Sequence, residues 1–495
     1  MAKDPALSHS MPDVINAAQQ IRCGEVSSET LVGNCLKQIK THNPTLNAFG
    51  DVYDEQALEE AISCDRERQS GKIRGPLHGV PFGVKDLFST AGLRTTKGSL
   101  TSLDNVPESD APIIERLKAA GAIIVGKTAT TEFGWTGSSY SRVFGHGRNP
   151  WNSALTSGGS SSGSAISVAA RMVPAALGSD GGGSVRIPGA FCGIFALKAS
   201  LGRIPTWPWS ATEMLSHAGP MTRTVRDSAL LFDLLSGPDA RDHQALPAKS
   251  ESWLARCDQP LPSLRVHYSP TLFNTPVDEQ IARCVEQAVE QIAHSLPVTL
   301  TARPLDWPSP FDAFDTLWSG GRGVAYGAAL QQQLDQLDPG FAALIERAQS
   351  LNLADYLAAQ KQRAAFAGQV HALFDSVDLL ITPTLPVLPF AADRHVPENQ
   401  SPGDSGVEWA RWTPFTWPFN LSGNPAATMP CGFTPQGLPV GLQVIGRRYA
   451  EGDVLQFCAA LEALMPWDQH QPSLQGAALR PPERYTAVLV DQNRR

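Results

Sequence analysis

Ser184 directly follows three consecutive glycines, Gly181 to Gly183, in the run LGSDGGGSVRIPG. Adjacent glycines are costly in conformational entropy. A backbone that must aim several N–H groups at one point needs them, as in an anion nest or an oxyanion hole. A flexible turn is the alternative on composition alone. Asp180 and Arg186 flank the glycines with opposite charges and are placed to pair and stiffen the turn. A serine hydroxyl is a weak nucleophile at neutral pH and needs a base. Lysine serves as one only where desolvation keeps it neutral. Lys85, in PFGVKDLF, has apolar or glycine neighbours on most sides. A charge buried there would cost several kcal/mol, on the order of the usual desolvation penalty, unless neutralised or partnered. The alternative for Lys85 is a strand-end lysine snorkelling to solvent.

A second glycine-serine cluster, GGSSSGSA, contains Ser160 and precedes Ser184 by 24 residues. The intervening sequence fits a small-residue helix over 162–171, a return strand in VPAAL and a turn at SDGGG. That path can bring the two clusters together. Two other motif matches fail on context. GAIIVGKT (121–128) satisfies the phosphate-loop pattern, but its middle residues Ala-Ile-Ile-Val favour a buried strand over a loop. Lys127 is therefore expected at a surface or a strand end. GSSSG (159–163) satisfies the nucleophile-elbow pattern around Ser161, but polar NPWNSALTS precedes it where an apolar strand is required. His217, His243 and His267 lie downstream in contexts unlike the histidine loop of that triad.

These residues resemble the amidase signature family. GGSSSGSA followed by LGSDGGGSVRIPGAFCGIFALK matches the family's signature with its internal spacing. GPLHGVPFGVKD is similar to its lysine segment, AAGAIIVGKTATTEF to the region that follows, and GNPAATMPCGFTPQGLPVGLQVIG to its C-terminal strand and turn. The resemblance covers residues 12–465, with a catalytic core over about 75–235. It implies a single α/β domain with a central mixed β-sheet covered by helices on both faces, leaving 466–495 as a C-terminal extension without an assigned function. It further implies Ser184 as nucleophile, Ser160 as relay serine after a cis peptide bond, and Lys85 as base. The backbone N–H groups of Gly181, Gly182, Gly183 and Ser184 correspond to the oxyanion hole, and no metal or organic cofactor is required. Three positions depart from the pattern. Gly181 stands where a Thr or another side chain is more common, Ser162 replaces a usual glycine, and ALKAS (196–200) replaces GLKPT. Gly181 is expected to loosen the oxyanion loop or leave room beside the scissile bond.

Aromatic residues near these segments are candidate substrate contacts: Phe88, Phe133, Trp135, Tyr140, Phe144, Trp207 and Trp209, with Trp135 and the Trp207–Trp209 loop favoured. An aryl or apolar acyl amide is the expected substrate, with carbamate and ester as further classes. The family also includes the glutamine-amidase subunit of transfer-RNA-dependent amidotransferases, which is the rival reading.

The elements that must position these groups read as strands alternating with helices from 75 to 235. Before them, Ser27 or Ser28 caps a helix through Leu31, Cys35, Leu36 and Ile39, and a second helix fits 55–68. Residues 240–300 look looser, helical patterns return at 277–294 and 341–376, and DLLITPTLPVLPF and GLPVGLQVIG begin as strands. DVLQFCAALEAL is a closing helix. The chain has 495 residues, 42% of them hydrophobic and 18% charged, which suits a large folded core. A formal net charge of -8 gives no footprint for nucleic acid or an anionic membrane. Eight scattered cysteines without a C-x-x-C pair suit free thiols in a reducing compartment. The N-terminus lacks the apolar stretch of a signal peptide and no run is long enough to span a membrane, so a cytoplasmic location is expected, with a homodimer left open.

Overall fold

The computed structural model describes residues 11–248, 251–401 and 406–474. Eleven strands form the central sheet: β1 (Phe49–Val52), β2 (Pro81–Lys85), β3 (Ile123–Thr128), β4 (Ala175–Asp180), β5 (Phe195–Lys198), β6 (His217–Thr222), β7 (Leu264–Tyr268), β8 (Val298–Ala302), β9 (Leu379–Pro383), β10 (Ala426–Phe433) and β11 (Pro439–Gly446). Their order is β1-β3-β2-β4-β6-β5-β10-β11-β9-β7-β8. Parallel pairing joins β3, β2 and β4 at one end and β9, β7 and β8 at the other. The strands between are antiparallel, so the sheet is mixed.

Two hydrophobic cores sit on opposite faces of this sheet. Leu379 and Ile381 enter one, while Leu380 between them enters the other, as the period of two in a strand requires. The first core holds the N-terminal helices and the closing helix Glu451–Leu464. The second is rich in aromatic rings, among them Phe314, Trp318, Trp409, Trp412 and Trp417. No helix among the described residues is long and apolar enough to cross a membrane.

Local chemistry explains most elements. Ser27 caps the helix Ser28–Leu46 by accepting the Thr30 N–H at 3.0 Å, and Leu31, Cys35 and Ile39 form its buried stripe. The segment expected as looser nevertheless contributes β7, which pairs with β8 and β9. The helical pattern at 341–376 is two helices, Pro339–Ala348 and Leu353–Leu373. Asn352 separates them because its side chain starts the second with a capping box. The tail assigned to 466–495 lies outside the described residues from 475 onward. Its first part is packed: Trp467 is buried in the core and donates its indole N–H to Arg223 O at 3.0 Å.

The helix Phe311–Leu330 carries Gly320, Gly321, Gly323 and Gly327, a composition that disfavours helix. Two of these glycines answer to packing. A Cβ on Gly321 would collide with Ala211 O, and one on Gly323 with Ala348 Cβ. Gly321→Ala is therefore expected to lower the thermal midpoint by the equivalent of about 1–3 kcal/mol. Gly368→Ala, on an exposed helical position with open space around it, is expected to stabilise by about 0.5–1 kcal/mol. Thermal unfolding of the two variants checks the contrast.

Candidate active site

Strands β2 and β4 are parallel neighbours, with Val84 opposite Leu177, and they end at the same edge of the sheet. Ligand sites in such sheets form beyond the C-terminal ends of the strands. Lys85 is the last residue of β2, and Asp180 closes β4 just before the three glycines. The helix Ser162–Ala169 consists mostly of small residues, all buried, and Ser164 Oγ donates to Leu177 O at 2.9 Å. This close packing sets Ser160 and Ser161, just before the helix, against the end of β4. The two glycine-serine clusters meet where Ser161 N donates to Ser184 O at 3.2 Å. The Gly159–Ser160 peptide is cis.

Lys85 is wholly buried, and its Nζ lies 2.8 Å from Ser160 Oγ, 2.8 Å from Ser161 Oγ and 2.9 Å from Ser179 Oγ. Burial drives its ammonium well below the ordinary lysine range; Asp180 opposes this and Arg322 adds to it. Lys85 is thus not a snorkelling lysine. Ser161, the centre of the elbow-like motif, is one of its three hydroxyl partners.

Asp180 and Arg186 form the expected pair, both fully buried at 3.0 Å. Arg186 also donates to Thr416 O and Gln443 Oε1, each at 2.8 Å, and to Asn420 Oδ1 at 2.7 Å. Burial would raise the Asp180 carboxyl, but Arg186 overrides it and holds the group well below the usual carboxylate range. The same carboxylate accepts the Gly183 N–H at 2.7 Å. That donor is therefore already engaged, which narrows the expected four-donor oxyanion hole. The N–H groups of Gly181, Gly182 and Ser184 have no hydrogen-bond partner among the described residues. Gly183 must be glycine, since its φ is +130° and a Cβ would strike Thr416 Oγ1.

The absence of a side chain at Gly181 does not open space. The Trp318 ring fills it, 2.9 Å from where a Cβ would stand. A cavity of about 170 Å³ lies over Ser160 and Ser184. Phe88, Phe133, Trp207 and Trp209 line it, with Trp209 on its exposed side. Trp135 and Phe144 do not. Trp135 is buried against Gly340 and His395, while Phe144 covers Gly50. Tyr140 packs on His146, also away from the cavity. Lys127 is not at the surface. It is fully buried, donates to Phe88 O at 2.7 Å and to Thr95 Oγ1 at 2.9 Å, and so ties down the loop that carries Phe88. The cavity also receives Trp318, Arg322 and Tyr326 from the glycine-containing helix. No sequence signal points to these three. Among the described residues no group of three or more His, Cys, Asp or Glu could hold a metal ion.

The sequence model of the Amidase family matches residues 30–455. The chain belongs to this family. It is 35% identical over 482 residues to a glutamyl-tRNA(Gln) amidotransferase subunit of Thioalkalivibrio sulfidiphilus (strain HL-EbGR7), covering 91% of this chain and 96% of that protein. It is 32% identical over 468 residues to an acylamidase of Rhodococcus erythropolis, covering 92% and 96%. A bacterial aryl acylamidase of the amidase signature family superposes with a TM-score of 0.87 at 26% identity, covering 96% of this chain and all of that one (100%). As an amidase signature protein, the chain is an amide-cleaving hydrolase with a mixed α/β fold.

Arg186→Met leaves the Asp180 carboxylate buried and unpaired, and is expected to cost about 3–5 kcal/mol, seen as a lower unfolding midpoint. Because Asp180 titrates lower in the folded state than in the unfolded chain, its contribution is present above the ordinary aspartate range, about pH 3.9, and is lost as pH falls below it. Gly181→Thr is expected to destabilise by about 1–3 kcal/mol through overpacking on Trp318. The same change in a Trp318→Ala background should cost less, and a double-mutant cycle of unfolding midpoints measures the difference.

Proposed function

We propose that this amidase cleaves a small aryl or apolar acyl amide through an acyl-enzyme on Ser184, with Ser160 as proton relay and Lys85 as base. The observation that carries the reading is the set of three hydroxyls within 2.8–2.9 Å of Lys85 Nζ. A neutral amine has two N–H donors and one lone pair. Ser161 Oγ donates its hydrogen to Ser179 O at 3.1 Å, so it accepts from Lys85. Ser179 Oγ, at 2.9 Å, takes the second N–H. The lone pair is left for Ser160, whose hydroxyl proton can move to Nζ over 2.8 Å. Ser160 then draws the proton of Ser184 as that oxygen attacks the amide carbonyl.

Negative charge develops on the carbonyl oxygen in the tetrahedral intermediate. The free N–H groups of Gly181, Gly182 and Ser184 are the donors to receive it, each such donor typically worth about 3–4 kcal/mol. The proton returns through Ser160 to the leaving nitrogen, and water hydrolyses the ester on Ser184. The flat walls supplied by Phe133, Trp207 and Trp209 suit an aryl or apolar group beside the scissile bond. The similarity to an aryl acylamidase supports that choice.

A second reading, the glutamine-amidase component of a transfer-RNA amidotransferase, is favoured by the 35% identity to a glutamyl-tRNA(Gln) amidotransferase chain. The two readings part on the purified chain. Hydrolysis of acetanilides by the chain alone supports the first, whereas activity only on glutamine with partner subunits present supports the second.

Ser184→Ala is expected to lower hydrolysis about ten-thousand-fold or more and to remove fluorophosphonate labelling. Lys85→Met should lose activity to a similar extent while keeping or raising the unfolding midpoint, because it removes the desolvation burden of an amine in an apolar site. Full activity in either variant contradicts the assignment.

A further inference from the structure

Arg322 is buried on the helix Phe311–Leu330 and lines the cavity over Ser184. Among the described residues no carboxylate lies within ion-pairing distance of it. Its protein contacts are two backbone carbonyls, Gly134 O at 3.2 Å and, marginally, Trp318 O at 3.5 Å. The Nε–H has no partner. A guanidinium carries five N–H donors in one plane, so most of this fork is unused. The indole of Trp318 covers one face of the guanidinium, with the carbon centre 3.5 Å from the ring. That contact fixes the plane and leaves the hydrogen-bonding edge for a ligand. Two other buried cations near the site do have counter-ions. Arg186 has Asp180, and Lys127 has Asp86 together with three oxygen acceptors. Arg322 has no such counter-ion.

Leaving a buried cation without a counter-ion is strongly unfavourable, so its retention beside a binding cavity points to an anion that arrives with the ligand. The rest of the cavity agrees in sign. Lys97 is a second cation on its wall. The one carboxylate there, Asp180, is already committed to Arg186. A planar carboxylate matches the free edge of the fork, and the cavity of about 170 Å³ suits a small acid. We infer that the substrate of this amidase carries a carboxylate in addition to the scissile amide, and that Arg322 binds it while the aryl or apolar part lies against Phe133 and the Trp207–Trp209 loop. This rests on the reading of Ser184 as the amidase nucleophile. Arg322 is a specificity-determining residue in this scheme and takes no part in moving protons.

The test compares matched amides with and without the acid on either side of the scissile bond: N-phenylsuccinamate against N-phenylpentanamide, and para-acetamidobenzoate against para-methylacetanilide. Rates are taken on the plateau above the acid limb, so that any effect of Arg322 on Lys85 does not enter. The wild-type protein is expected to favour the acid of at least one pair. Arg322→Met should reduce that preference about 100-fold, and Arg322→Lys, which keeps the charge without the fork, should reduce it less. A wild-type preference for both neutral amides, or a preference that survives Arg322→Met, overturns the inference while leaving the amidase reading intact. A separate arm does not need catalysis. Benzoate should bind Ser184→Ala in calorimetry and fail to bind Ser184→Ala/Arg322→Met. If no amide is cleaved and Ser184 takes no fluorophosphonate, the amidase reading fails, and loss of benzoate binding in the double variant still upholds the anion site. Equal benzoate binding by both variants overturns it. Thermal unfolding guards against a merely structural role: Arg322→Met should hold or raise the midpoint, since it removes an uncompensated charge. A large fall in midpoint together with an equal loss on both members of each pair would assign Arg322 to the fold instead.

Discussion

One amine, buried without a counter-ion among three serine hydroxyls, sets the terms for the rest of this site. Burial pushes the Lys85 ammonium well below the ordinary lysine range, which is the condition the proposed base must meet. That condition requires exclusion of water at the ends of β2 and β4, which the small-residue helix Ser162–Ala169 provides by packing all of its residues inside. The proposed base further requires hydroxyls to take both N–H groups, with the lone pair directed to Ser160. Ser161 and Ser179 meet this need from opposite sides of the chain reversal between the two glycine-serine clusters.

The Asp180–Arg186 pair supplies the complementary rigidity. Placing a carboxylate at the base of the glycine turn fixes Gly183 through its N–H and thereby orients the three donors that remain free. The pair is itself anchored by Thr416, Asn420 and Gln443, from segments more than 200 residues away in sequence. The C-terminal part of the chain therefore holds the shape of a site whose proposed nucleophile, relay and base all come from the first 184 residues. The aromatic core on that face completes the cavity, with Trp318 occupying the volume that Gly181 leaves.

Much of the candidate site is legible in the sequence because its constraints are local. Three glycines before a serine, and a lysine among apolar neighbours, each state a physical problem with few solutions. The pairing of Asp180 with Arg186 follows from six residues of separation. What escapes a sequence reading depends on contacts between distant segments. Gly183 looks equivalent to its neighbours until the Asp180 carboxylate takes its N–H. Ser161 satisfies the elbow motif only in letter, and its role is instead to hold Lys85. Nearness in sequence is a poor guide to the aromatic lining, and it fails for Trp135 and Phe144, which turn away into other packing. Arg322, Trp318 and Tyr326 lie on a helix whose glycines disguise it, two of which answer to Ala211 and Ala348 across the fold. Lys127 does sit at the end of β3, as its sequence context suggests, but its amine is enclosed by the Phe88–Thr95 loop instead of reaching solvent.

The proposed chemistry turns on Lys85 as the neutral base behind Ser184. The pH dependence of the fluorophosphonate labelling rate of Ser184 tests it most directly, since this reaction needs the activated serine but no particular substrate. With Lys85 as a neutral base, the rate rises along a limb centred well below the ordinary lysine value of about 10.4, and is lost in Lys85→Met at every pH. A limb at the ordinary lysine value, or labelling that survives in Lys85→Met, would contradict it.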